Sequence, residues 1–224
     1  EPEPPGNLGR DGHPKLGGLI PDLGLTRRMW AGGRLTFLQP FVAGIKADKT
    51  TTLDSVTQKD GAQGPLTFVR LRHDIRQRHA TVLTEWQDLV YRGEAQRNDA
   101  PPAPVSARMD EDHSKVFTFD TTLLFRYSAL TFNGHRIHYD RPYAMQEEAY
   151  PGLVVQGPLM ATLLLDLATS HLGANKLSRF SFRGQAPAFA NTALYLVGKR
   201  EDASITLAVL GNDGREIMSA EAAI

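Results

Sequence analysis

The segment RYSALTFNGHRIHYDRPYA, Arg126 to Ala144, holds the residues best able to do chemistry. Asn133, His135, Arg136, His138, Tyr139 and Asp140 fall within eight positions. A loop so dense in titratable and amide groups, flanked by regular segments, is costly to order unless it has a task. Imidazole takes up and releases protons near neutral pH, and a carboxamide orients water through its donors and acceptor. A short distance on, VVQGPLMATLLLDLATSHLG reads as a helix marked at both ends. Gly157 and Pro158 suit its first turn and Gly173 its stop. The first N–H groups of such a helix are unpaired donors backed by the positive end of the dipole. They can polarise a carbonyl oxygen and hold the negative charge that develops on it.

The elements that must position these groups follow from pattern. Residues 1–27 are rich in Pro and Gly without apolar period, an irregular lead-in crossing a surface. The chain opens EPEPPGNLGRDG without an initiator Met, so the natural N-terminus is expected to lie upstream. RMWAGGRLTFLQP, PLTFVRLRHDI and TVLTEWQDLVYR carry a period-two texture of strands, and no long amphipathic helix interrupts them. Residues 97–114 have the proline and charge of a linker. Beyond it KVFTFD and TTLLFRYSAL both read as strand, and KLSRFSFRG, TALYLVG, SITLAVL and EIMSAEAAI supply four more after the helix. That helix is apolar nearly all round, which means burial on several sides. The expected class is α+β, antiparallel sheets wrapped around a central buried helix.

The informative segment resembles a known family. YSALTFNGHRIHYDRPYA follows, position by position, the motif FSALTGDxNPIHxDxxYA of the MaoC-like, R-specific enoyl-CoA hydratases, and YPGLVVQGPLMATLLL resembles their second segment. The likeness is strong over Arg126 to Leu165 and weaker to Ile224, and the first half is similar to the degenerate N-terminal unit of the double-hotdog subgroup. That subgroup includes mesaconyl-CoA and itaconyl-CoA hydratases and type 2 hydroxyacyl-thioester dehydratases. The resemblance implies a double hotdog: a degenerate unit over 28–96, the linker 97–114, and a catalytic MaoC-like unit over 115–224.

The resemblance puts His138 on the family's catalytic His and Asn133 on its catalytic Asp. His135 stands where the family has Asn, Arg136 where it has Pro, and Gln156 where it has His. Gly157 matches the Gly whose N–H binds the thioester oxygen. An amide cannot exchange protons at neutral pH, so Asn133 points to a variant mechanism in which it orients water and His138 is both base and acid. His135 supplies a second titrating group or holds the His138 tautomer, and Asp140 is another orienting partner. Arg136 is a candidate fork for a substrate carboxylate. Tyr139 and Gln156 join the substrate-binding set, and Arg28 and Trp30 are candidates to line the acyl pocket. Each has a plainer reading: a buried structural histidine for His138, a turn-former for Asn133, exposed loop residues for His135 and Arg136, packing residues for Arg28 and Trp30.

The expected activity is reversible hydration of a short branched or dicarboxylic enoyl-CoA of the mesaconyl or itaconyl type. The alternatives are dehydration of 3-hydroxyacyl thioesters on CoA or a carrier protein, a thioesterase, and a non-catalytic thioester-binding module. No cofactor is expected. HRIH with Asp140 could bind a metal, but such sites need three or four convergent ligands, and the family uses none. A net charge of zero removes most of the weight from a nucleic-acid partner. The longest apolar run, Leu159 to Leu167, is shorter than the ~20 residues that span a bilayer. The absence of cysteine excludes disulfides and thiolate chemistry and fits a reducing compartment. The expectation is a cytoplasmic homodimer.

Overall fold

A computed structural model describes residues 3–25, 27–61, 64–93 and 111–224. Nine antiparallel strands form one sheet: β1 (Arg27–Phe37), β2 (Ala47–Gly61), β3 (Gly64–Gln77), β4 (Ala80–Arg92), β5 (His113–Thr118), β6 (Arg179–Gly184), β7 (Ala193–Glu201), β8 (Ser204–Gly211) and β9 (Glu216–Ala223). Their order is β2-β3-β4-β1-β6-β9-β8-β7-β5. The two halves of the chain join where β1 pairs with β6, Gly32 opposite Arg183 through Thr36 opposite Arg179. Residues 94–110 lie outside the described residues, and with them nearly all of the expected linker; its last two residues, His113 and Ser114, already belong to β5.

The second half follows its pattern closely. Helix α2 (Gly157–Leu172) buries Leu159, Met160, Ala161, Leu164, Leu167, Ala168 and Leu172, which is why it is apolar almost all round. It packs on one sheet face, against Phe180, Ile205, Leu207, Val209 and Met218 among others. In β8 the apolar set Ile205, Leu207 and Val209 is buried while Ser204, Thr206 and Ala208 are not.

Two elements depart from the sequence reading. TTLLFRYSAL is not a strand but the body of helix α1 (Thr121–Thr131). The Asp120 carboxylate accepts the Leu123 N–H at 2.7 Å and starts the helix. Leu123, Leu124, Tyr127 and Ser128 then fall on one face: Leu124 and Ser128 are buried, with Leu123 and Tyr127 packed against the core. β-branched and aromatic residues in TTLLFRYSAL outweighed this helical spacing in the sequence reading. Strand β2 carries no signal in the sequence because it is an edge strand, paired on one side with β3 and exposed along nearly its whole length. With neither face buried, there is no alternation to read.

Over the first half no helix covers the sheet among the described residues. The lead-in lies there instead. Leu16, Ile20, Leu23 and Leu25 pack on Val69, Leu71, Leu89 and Tyr91, and Trp30 bridges this cluster to the core around α2.

Candidate active site

The loop after α1 is built from local backbone chemistry. Phe132 adopts a left-handed conformation, φ 53°, which ends the helix. The Asn133 N–H then donates to the Ser128 carbonyl at 2.8 Å. The Asn133 side-chain oxygen accepts the His135 N–H at 3.1 Å, an Asx turn. A single 3₁₀ turn, Arg136–His138, carries the buried His138 inward. Its Nδ1 lies 2.8 Å from the Val154 carbonyl oxygen. A carbonyl only accepts, so Nδ1 carries the proton and Nε2 keeps its lone pair. Val154 in turn donates its N–H to the Ile137 carbonyl at 3.0 Å, so the loop and the approach to α2 are stitched from both sides.

Val154 precedes Gly157 by three residues, a stretch of at most ~10 Å. The imidazole and the opening of α2 are therefore held close together. Gln156 is the residue that caps α2, yet its side chain makes no capping bond. It is fully buried and turned toward α1, where Nε2 donates to the Leu124 carbonyl at 2.9 Å and to Ser128 Oγ at 3.0 Å. Among the described residues nothing accepts from the Gly157 N–H, which remains a donor backed by the helix dipole. A bulge in β1 between Trp30 and Gly32 brings the Trp30 carbonyl oxygen to 3.9 Å from where a Gly157 Cβ would sit. The Trp30 indole donates to the Gly32 carbonyl at 2.8 Å and faces the Phe182 ring at 6.2 Å.

Both loop histidines are held neutral. Burial drives the His138 pKa down to about 4, against the opposing effect of its bond to Val154. Burial drives His135 down to about 3, assisted by His138 and by the positive charges of Arg28 and Arg27. The His135 and His138 rings meet edge to face at 5.3 Å, and His13 of the lead-in faces His135 at 4.8 Å. The lead-in is close-fitting here: a Cβ on Gly134 would fall 2.5 Å from the Gly12 carbonyl oxygen.

The structure thus sets His138 against His135 and, through Val154, near the start of α2, where the Trp30 carbonyl faces Gly157; Gln156 turns to α1, and three other candidates are committed to partners of their own. Arg136 is not an open fork. Its Nε and one terminal nitrogen donate to the same Asp140 oxygen at 3.0 and 2.7 Å, and the other terminal nitrogen donates to the Arg10 carbonyl at 3.0 Å. Its guanidinium also stacks over Tyr143, 4.2 Å from the ring centroid. Asp140 orients Arg136 and caps the Tyr143 N–H at 3.1 Å, not His138. Those bonds to Arg136 and Tyr143 lower its pKa. Tyr139 is exposed and donates to the Gly134 carbonyl at 2.9 Å. Tyr139 and Asp140 brace the loop itself, and Arg136 also fastens it to the lead-in.

Sequence reasoning missed three supports. The Val154 carbonyl is backbone and leaves no mark in side-chain patterns. Asp11 accepts the Arg136 N–H through its carbonyl and ion-pairs with Arg28 at 3.4 Å from within an irregular segment. Arg27, Glu148 and Tyr143 form a buried group: Arg27 pairs with the Glu148 carboxylate, whose other oxygen accepts from the Tyr143 hydroxyl at 3.0 Å. No local spacing connects Arg27 to Glu148. Among the described residues no three His, Cys, Asp or Glu side chains converge as a metal site would require, and no helix is long and apolar enough to cross a membrane.

The model of the hydroxyacyl-thioester dehydratase type 2 family matches residues 1–190. The chain belongs to this family. Over 221 residues it is 44% identical to mesaconyl-C(4)-CoA hydratase of Chloroflexus aurantiacus, covering 97% of this chain and 77% of that protein. Its fold matches the crystal structure of a MaoC-like dehydratase from Phytophthora capsici, with a TM-score of 0.70 at 13% identity over 91% of this chain and 73% of that one. It also matches a double-hotdog protein of Mycobacterium tuberculosis, with a TM-score of 0.59 at 14% identity over 89% of this chain and 75% of that one. The chain is accordingly a double hotdog, its first unit lacking a central helix among the described residues and its second built on α2.

Proposed function

We propose that this chain is a hydro-lyase that adds water reversibly across the double bond of a short, branched or dicarboxylic enoyl-CoA, of the mesaconyl-CoA or itaconyl-CoA type. The observation that carries the reading is the bond from His138 Nδ1–H to the Val154 carbonyl. It leaves Nε2 as a base, on an imidazole anchored to Val154, three residues before the Gly157 N–H that nothing among the described residues accepts.

In this mechanism the thioester oxygen accepts from Gly157 N–H. His138 Nε2 takes a proton from water as the hydroxide adds to the β-carbon. The displaced π electrons move onto the thioester oxygen, where the helix N-terminus holds the charge. The imidazolium then returns its proton to the α-carbon, restoring neutral His138 and the carbonyl. One imidazole does both transfers because Asn133 brings no acid or base. Its side-chain oxygen is committed to the loop, and its NH₂ group is the donor that orients water. His135, neutral at its depressed pKa, walls the imidazole without competing for the proton.

The mesaconyl-CoA hydratase likeness favours hydration, and the family description favours the reverse reaction, dehydration of a 3-hydroxyacyl thioester; the chemistry is shared. A cytoplasmic homodimer completes the reading. Phe125, Leu130 and Phe132, 63, 86 and 72% exposed around the end of α1, supply apolar surface for a second copy.

The test follows the ultraviolet absorbance of the enoyl thioester together with free thiol. Loss of the double bond without thiol release is expected. His138→Ala should lower kcat by about 10²–10⁴-fold, the usual size of a general acid–base contribution, with the circular dichroism unchanged. Thiol release would make the protein a thioesterase. Neither signal, across a panel of acyl chains, would make it a binding module.

A further inference from the structure

A cavity of ≈ 200 Å³ opens between the lead-in and the start of β1 and end of β4, walled by Arg10, Asp11, Lys15, Leu16, Arg28 and Tyr91 among others. Two of its walls are polar groups with capacity to spare. The Tyr91 side chain is 2% exposed, and its hydroxyl makes no well-formed hydrogen bond, having only the adjacent Arg28 guanidinium in poor geometry. Leaving a buried hydroxyl unpaired is costly, so such a group calls for a ligand. Arg28, its side chain 15% exposed, donates from Nη2 to the Pro14 carbonyl at 3.2 Å and from Nε to Asp11 at 3.4 Å, a long contact for an ion pair. Nη1 donates to no carbonyl or carboxylate among the described residues.

The cavity is in line with the reaction. Arg28 and Trp30 are two apart on β1, so they face the same side of the sheet, ~7 Å apart along the strand. The Trp30 carbonyl lies against Gly157, where the thioester oxygen is placed. An acyl chain leaving Gly157 along β1 therefore passes Trp30 and arrives at Arg28.

We infer that Arg28 and Tyr91 form the subsite for a free carboxylate at the far end of the acyl chain, so that the enzyme selects half-thioesters of dicarboxylic acids. The inference rests on the hydratase reading and names its specificity determinant. The carboxylate accepts from the Tyr91 hydroxyl and from Arg28 Nη1, satisfying both at once. Asp11 in the same wall opposes the second negative charge of a CoA phosphate more than a monoanion, although Arg10 and Lys15 also border the cavity, and the two occupants are separated by the test below. Arg136, whose fork is closed on Asp140, is not the carboxylate receptor.

The experiment compares an unsaturated dicarboxylic half-thioester of CoA with its carboxamide, by kcat/KM, in the wild type and in Arg28→Gln and Tyr91→Phe. The dissociation constants of succinyl-CoA and butyryl-CoA, which undergo no hydration, are measured alongside. The wild type should prefer the carboxylate in both assays by at least tenfold. Arg28→Gln should reduce that preference at least tenfold. Tyr91→Phe removes only an unpaired oxygen and keeps the packing, so it should fold even if Arg28→Gln does not, and it should reduce the preference several-fold. Equal handling of carboxylate and carboxamide by the wild type overturns the subsite and leaves the hydratase standing. Equal losses on both thioesters in Arg28→Gln would assign the cavity to a CoA phosphate and likewise overturn it. An unreactive wild type that still prefers succinyl-CoA would sink the hydratase reading and keep the subsite.

Discussion

Gly157 has two separable properties, an open space where a side chain would be and an N–H that nothing among the described residues accepts. A Cβ there would meet only the Met218 methyl and the Trp30 carbonyl, each at 3.9 Å, ordinary contact distances. Gly157→Ala should therefore fold with near-normal stability and keep most of its turnover. Gly157→Pro removes the N–H at a position where the helix tolerates proline, and Gln156 with ψ 127° already has the backbone a following proline demands. It should lower kcat by about 10²–10³-fold, the cost of deleting one oxyanion donor. Similar kcat values in the two variants would remove Gly157 N–H from the mechanism. At this scale the segments carrying His138 and Gly157 were legible in the sequence through the motif they share with the MaoC-like hydratases, and the roles proposed for the two residues rest on that resemblance. The tautomer was not legible, since the Val154 carbonyl that fixes it is a backbone atom. Nor was the pairing of Arg136 with Asp140: the i, i+4 spacing allowed it, but the fork's freedom depends on what folds beside it.

Helix α1 shows how element type can hide in composition. TTLLFRYSAL has the residues of a strand, but Asp120 as cap and the spacing of Leu124 and Ser128 are helical. Its misassignment left Gln156 without an explanation, because the groups that Gln156 holds, the Leu124 carbonyl and Ser128 hydroxyl, exist only when α1 is a helix. The start of β1 and the single-turn π-helix Tyr143–Glu147 are joined in the same hidden way by Arg27, Glu148 and Tyr143, all at most 6% exposed. Glu148→Ala would leave a buried guanidinium and a buried phenol without their acceptor. The expected loss is about 3–5 kcal/mol of unfolding free energy, read from urea denaturation. A loss below 1 kcal/mol would mean that water reaches Arg27.

Across the whole molecule the buried histidines make folding sensitive to acid. His138 and His135 titrate at about 4 and about 3 in the folded chain, against 6.5 ordinarily. Between those limits the unfolded chain binds protons that the folded chain refuses, so stability falls as pH drops from 6.5. It should be fully present at pH 7 and lower at pH 5, measured as the urea midpoint, and His138→Gln should flatten the dependence. A midpoint equal at both pH values would mean that these sites are wetter than they look. The antiparallel sheet was legible where a strand alternates over the core, as in β8, whereas the double-hotdog arrangement was legible only through the family resemblance. Neither was legible in the lead-in, whose apolar residues lack period because each meets the sheet from an irregular backbone.

The seam of β1 on β6 bears on how the chain reaches its native state. β1 opens the sheet in sequence, yet its partner β6 follows the whole linker, both helices and the loop of the site. Closing so long a loop is entropically unfavourable until both halves are already shaped. The seam should be the last ladder to form and the slowest. Because Trp30 and its bulge stand immediately before the first paired residue of that seam, Gly32, catalytic competence should return with this late step rather than with the bulk of the secondary structure.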